Sequence, residues 1–205
     1  MDTSLLLRGF VLGFTIAAAV GPISLLVIRR TLAEGRVVGL ASGLGVATAD
    51  GTYGAIAAFG LTAITDLLVD WRRVLGAVGG LFLLWLAWRT LRSEPGEAAA
   101  DDRPRRGLPG AYLGLLGLTL TNPMTILSFG ALFVGLGVTG GNAAGATLLT
   151  LGVFSGSVAW WIVLTAVVAA ARSRLTTAGM RRINIASGLL IGAFALVALA
   201  TAIAP

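Results

Sequence analysis

The apolar stretch 5–28 carries one charge, Arg8, and is as long as a helix that crosses a bilayer. Further stretches of that kind run over 37–61, 74–91, 110–136, 145–171 and 183–204. A spanning helix needs about 20 predominantly apolar residues, because in hydrocarbon the backbone must satisfy its own hydrogen bonds. With 57% hydrophobic residues and only 12% charged, the chain has too little polar surface to coat a soluble globule. Its mean hydropathy of +0.92 agrees. The pattern predicts an all-α membrane protein with six transmembrane helices. Ala17, Ala18 and Ala19 resemble a signal-cleavage site, but the first residues hold no early positive charge and the apolar run continues to Ile28. The stretch is therefore read as a span.

The loops assign a direction. All 15 positive residues are arginines. Six spans put twelve of them on one side, namely Arg29, Arg30, Arg36, Arg89, Arg92, Arg103, Arg105, Arg106, Arg172, Arg174, Arg181 and Arg182. The other side holds three, Arg8, Arg72 and Arg73. Positive charge stays in the cytoplasm, so both termini are expected outside. The pI of 11.4 has this topological meaning. No basic stretch interleaves with stacking aromatics, so nucleic acid is not an expected partner. With no cysteine and no histidine, disulfides, thiolate or imidazole metal sites and Ser-His or Cys-His couples are excluded. No cofactor is called for.

The polar stretch 92–109 divides the chain into 1–91 and 110–205, three spans each, within one transmembrane domain. Its Pro, Gly, Ala and mixed charges read as a cytoplasmic linker. Three is odd, so the second half must be inverted relative to the first. A shift of 101 places Gly9 on Gly110, Gly13 on Gly114 and Pro22 on Pro123. The proline match carries most weight, since the chain has six prolines. Matched breaks in inverted halves point to a transporter's central site.

Proline lacks an amide hydrogen, disfavours helix in the residue before it and suits the first turn of a new helix. Gly21-Pro22 and Asn122-Pro123 thus read as restarts in spans 1 and 4, with Asn122 as an N-cap. The amides that follow, on Ile23, Ser24, Met124 and Thr125, would be open and at the positive end of a helix dipole. A substrate carboxylate suits them, which makes Gly21, Pro22, Ser24, Asn122, Pro123 and Thr125 candidate binding residues. The competing reading is a pair of plain kinks satisfied by local hydroxyls.

Asp50 is the only ionisable residue deep in any span. A carboxylate there must be protonated or face a polar cavity. It would hold a substrate amine, carry a coupling proton or bond a helix break. Tyr53 shares its helical face. Ser155, Ser157 and Trp160 are further candidate lining groups, with Trp161 and Asn184 beside them. The glycine pairs Gly152/Gly156 and Gly188/Gly192, and the stripe Gly35/Gly39/Gly43, let helices approach closely.

The segments "AVGPISLLVIRRTLAEGRVVGLASGLGVATADGTYGAIAAFGL", 19–61, and "TNPMTILSF", 121–129, resemble the LysE/RhtB amino-acid exporter family. Where family members commonly show Pro-Gly-Pro, this chain has Val20-Gly21-Pro22. The resemblance implies a bacterial inner-membrane exporter of amino acids or related small metabolites, driven by the proton motive force. Its partners would be the substrate and the bilayer, with homo-oligomerisation left open. An intramembrane enzyme lacks the residues: one buried Asp stands where an aspartyl mechanism needs two. A channel or transporter of inorganic cations is the alternative.

Overall fold

The computed structural model describes residues 3–19, 21–60, 71–92, 107–122, 125, 128–129, 142–172 and 176–203. Seven helices are described: α1 (Thr3–Ala18), α2 (Pro22–Glu34), α3 (Arg36–Ala58), α4 (Arg72–Leu91), α5 (Gly107–Leu120), α6 (Ala143–Arg172) and α7 (Thr177–Ile203). No strand occurs among the described residues. The apolar run 5–28 corresponds to two helices, whose axes meet at 76°. The run 110–136 begins as α5, and most of its remainder, including Pro123 and Met124, lies outside the described residues. So does nearly all of the linker. Among the described helices, α6 is long and apolar enough to cross a membrane by itself, and α1 with α2 qualifies as a bent pair.

Helices pack where glycines let backbones meet. A Cβ on Gly13 would overlap the backbone of Val153, and one on Gly156 the backbone of Phe10. These glycines seat α1 directly on α6. Gly45 admits α5 at the Tyr112 carbonyl, and Gly188 admits Leu91 of α4 against α7. The pairings α1–α6, α3–α6, α3–α5 and α4–α7 account for most of the packing. Such close approach replaces the hydrophobic drive that lipid cannot supply.

The buried centre is built on α2 and α3. Val27, Ala47, Leu115, Trp161 and Ile191 belong to one apolar cluster to which all seven described helices contribute. The far end of α2 is tied by two arginines. Arg30 Nη1 donates to Ser42 Oγ at 2.8 Å and to the Ala111 carbonyl at 2.9 Å. Arg29 Nη1 donates to Thr90 Oγ1 at 2.6 Å. The short helix is thus anchored to α3, α5 and α4. Outward faces are apolar too: Leu113, Val167, Leu189 and Leu196 are exposed, as lipid contact requires.

Candidate functional site

The first break is made by local chemistry. Gly21 is extended, with φ −144° and ψ −174°, and Pro22 opens α2. No side chain caps that end. Pro22 has no amide hydrogen, and the first backbone bond of the new helix runs from the Leu25 amide to the Gly21 carbonyl at 3.1 Å. The Ile23 and Ser24 amides therefore precede the helix's own bonding ladder. On the other side of the break, Ser24 Oγ donates to the Ala19 carbonyl at 3.2 Å.

After α5, Pro123 and Met124 lie outside the described residues, and the flanking residues make local bonds. The Thr125 amide donates to the Asn122 carbonyl at 3.1 Å, and the Asn122 amide to the Thr119 carbonyl at 3.2 Å. The Leu120 carbonyl, at the end of α5, accepts from Tyr53 Oη at 2.6 Å. Ala19 and Leu120 occupy matched positions under the shift of 101. Each presents a carbonyl at a helix end, and each accepts from a hydroxyl. An unmade bond there would be expensive in a site shielded from water.

The start of α2 and described residues that follow α5 line one cavity of about 180 Å³. Gly21, Pro22, Ser24, Asn122 and Thr125 line it, and so does Asp50. Asp50 is 2% exposed. One carboxylate oxygen, Oδ2, accepts from Ser157 Oγ at 2.7 Å. Ser157 in turn accepts from Trp161 Nε1 at 3.1 Å. No other hydrogen bond to Asp50 comes from the described residues. The relay holds the carboxylate at the cavity wall.

The remaining sequence candidates sit elsewhere. Tyr53 is buried, but its hydroxyl serves α5, and its ring lies 5.6 Å from that of Phe129. Ser157 stands behind Asp50. Ser155 is exposed and donates to the Gly152 carbonyl. Trp160 packs edge-on against Phe14 at 5.4 Å, and it is Trp161 that lines the cavity. Asn184 is buried on α7 and is not among the described lining residues. Val46, Thr119 and Phe194 are lining residues that sequence reasoning missed. Among the described residues, no three His, Cys, Asp or Glu side chains group as metal ligands.

The LysE type translocator model matches residues 14–202. The chain belongs to the LysE type translocator family. It is also 29% identical, over 174 residues, to the uncharacterized membrane protein YahN of Escherichia coli (strain K12), covering 83% of this chain and 78% of that protein. No solved structure matches the chain. The translocator is accordingly a membrane protein, and its family consists of transporters with small-molecule substrates rather than enzymes.

Proposed function

We propose that this translocator is a secondary active exporter of amino acids or related small metabolites, working by proton antiport across the bacterial inner membrane. The observation that carries the reading is that the start of α2, Asn122, Thr125 and Asp50 line a single cavity. A half-helix start suits a carboxylate, and Asp50 suits an ammonium. Asp50 would exchange that ammonium for a proton, which couples export to proton entry.

The architecture proposed is two inverted three-helix repeats with broken first helices. The packing supports it. Exchanging the two halves turns the α1–α6 pairing into α5–α3 and returns α3–α6 and α4–α7 to themselves. Alternating access would then rock one repeat against the other about the breaks. The inorganic-cation reading is the weaker one. A hard cation such as Ca²⁺ takes roughly six to eight oxygen ligands, and Asp50 is the one carboxylate among the described lining residues.

The test is flux in proteoliposomes holding the purified full chain, loaded with amino acids and given an inward proton gradient. Proton-dependent efflux that Asp50→Asn abolishes, in a protein that still purifies as a folded monodisperse species, supports the reading. Undiminished flux in Asp50→Asn removes Asp50 from coupling.

A further inference from the structure

We infer that the C-terminal end of α4 binds an anionic glycerophospholipid of the surrounding bilayer, its phosphate on Arg89 and Arg92 and an acyl chain against the apolar stripe that leads up to them. The site lies apart from the central cavity, whose described lining residues include none from α4.

The stripe follows from helical spacing. Val78, Leu81, Phe82, Trp85 and Trp88 recur at intervals of three and four and are all exposed. On the opposite side of the helix Leu83, Leu86, Ala87 and Thr90 are buried. The rings of Phe82 and Trp85 lie 5.6 Å apart. The Arg92 amide still donates to the Trp88 carbonyl at 3.2 Å, so the helical register holds to the end. Arg89 and Arg92, both exposed, therefore continue the same stripe with charge.

Each guanidinium is seated on the ring four residues before it. Arg89 lies 5.6 Å from the centroid of Trp85, and Arg92 lies 4.6 Å from that of Trp88. A guanidinium stacked on an indole keeps its edge N–H groups for an acceptor, and its fork is oriented before the ligand arrives. Residues three apart on a helix are neighbours, about 5–6 Å between Cβ atoms. Two forks at that spacing can share one phosphate, whose oxygens accept paired N–H bonds. The turn that bears them is fixed from behind. Thr90 Oγ1 accepts from Arg29 at 2.6 Å and donates to the Leu86 carbonyl at 2.7 Å.

Depth and sign name the ligand. From Val78 to Trp88 the helix rises about 15 Å, half of a hydrocarbon core roughly 30 Å thick. The apolar stripe is thus one leaflet deep, and Arg89 and Arg92 fall at the level of the lipid headgroups. The phosphates at that level belong to lipids. The closing carbonyls of α4 carry about half a negative charge, which two guanidiniums outweigh. An anionic headgroup answers that excess, whereas an ethanolamine headgroup brings its ammonium against two cations. Snorkelling accounts for an arginine near a helix end, but it does not require both arginines to stack on the outward tryptophans.

The experiment is native mass spectrometry of the full chain in detergent, titrated with phosphatidylglycerol, phosphatidylethanolamine or phosphatidylcholine of identical acyl chains. Phosphatidylglycerol should bind with an apparent affinity at least about tenfold above the other two. Arg89→Gln/Arg92→Gln should bring the three lipids to within about threefold of one another. Trp85→Leu/Trp88→Leu keeps both charges and removes the stacking, and should cost at least about threefold of the preference. Arg181→Gln/Arg182→Gln removes the same charge from exposed positions on α7 and should keep the preference. Phosphatidylglycerol should also raise the melting temperature of the parent chain, and inorganic phosphate at the same concentration should not. Equal binding of phosphatidylethanolamine by the parent chain would overturn the inference. So would a preference that persists in folded Arg89→Gln/Arg92→Gln, is unchanged in folded Trp85→Leu/Trp88→Leu, or is lost in Arg181→Gln/Arg182→Gln. An equal melting shift from inorganic phosphate would overturn it as well.

Discussion

Ser157 of α6 donates its hydroxyl hydrogen to Oδ2 of Asp50 in α3 at 2.7 Å, across 107 positions of sequence. Ser157 Oγ itself accepts from the Trp161 indole N–H, so one serine orders both an acid and an aromatic wall of the cavity. Ser157→Ala removes the donor and leaves Trp161 Nε1 without its acceptor. A buried polar group left unpaired costs about 1–3 kcal/mol. Substrate affinity in proteoliposome counterflow should fall about tenfold, with a change in tryptophan emission as the indole loses its partner. The double variant with Asp50→Asn should be no worse than Asp50→Asn alone, since the serine acts through the carboxylate. Additive losses would contradict this.

Tyr53 and Leu120 make the second informative contact, 67 positions apart. The phenol donates to the carbonyl of the last residue of α5. Tyr53→Phe keeps the ring contact with Phe129 and removes only the hydroxyl. The expected loss is about 1–3 kcal/mol of stability, read as a lower melting temperature in detergent. Transport should fall in parallel, and because Tyr53 is not on the cavity wall, substrate affinity should change less than maximal rate. A selective loss of affinity with unchanged melting would mean that the hydroxyl reaches substrate instead.

Much of this was legible in the chain itself. Apolar length marked the helices, and Gly21-Pro22 marked the bend between α1 and α2. Asp50 stood out because charge is so scarce in the spans. The miss at Trp160 is one of helical phase. Ser157 and Trp161 are four apart and share a face, whereas Trp160 turns toward α1. That signal was available in the spacing. Phe194 carried no comparable signal. In α7 the outward Leu189, Leu196 and Val197 are as apolar as the inward Ile191 and Ala195, so hydropathy does not distinguish the lipid face from the core. The hydroxyl on Leu120 was also hidden, since pairing a tyrosine with a carbonyl on another helix requires the tertiary fold.

The glycine contacts between α1 and α6 divide substitutions sharply. Gly156→Val puts a branched side chain onto the backbone of Phe10, where nothing can yield without separating the helices. Gly21→Ala meets open space at an extended backbone. The first should abolish monodisperse protein in size-exclusion chromatography. The second should purify at the level of the parent, with a melting temperature within about 1 kcal/mol of equivalent stability. Monodisperse Gly156→Val would mean that the two helices are not held backbone to backbone.

The arginine partition makes a prediction about direction across the membrane. Twelve of the 15 arginines fall in the loops that six spans assign to one face. Arg29 and Arg30, at the far end of α2, belong to that face and hold the helix to α3, α4 and α5. Retention of positive charge in the cytoplasm puts Thr3 outside and Ala99 inside. Because the chain has no cysteine, Thr3→Cys and Ala99→Cys each carry a single reactive thiol. A membrane-impermeant maleimide applied to intact cells should label Thr3→Cys alone, and Ala99→Cys should become reactive only after the membrane is opened. The reverse pattern would invert the topology, and labelling of both from outside would mean that the number of spans before residue 99 is even.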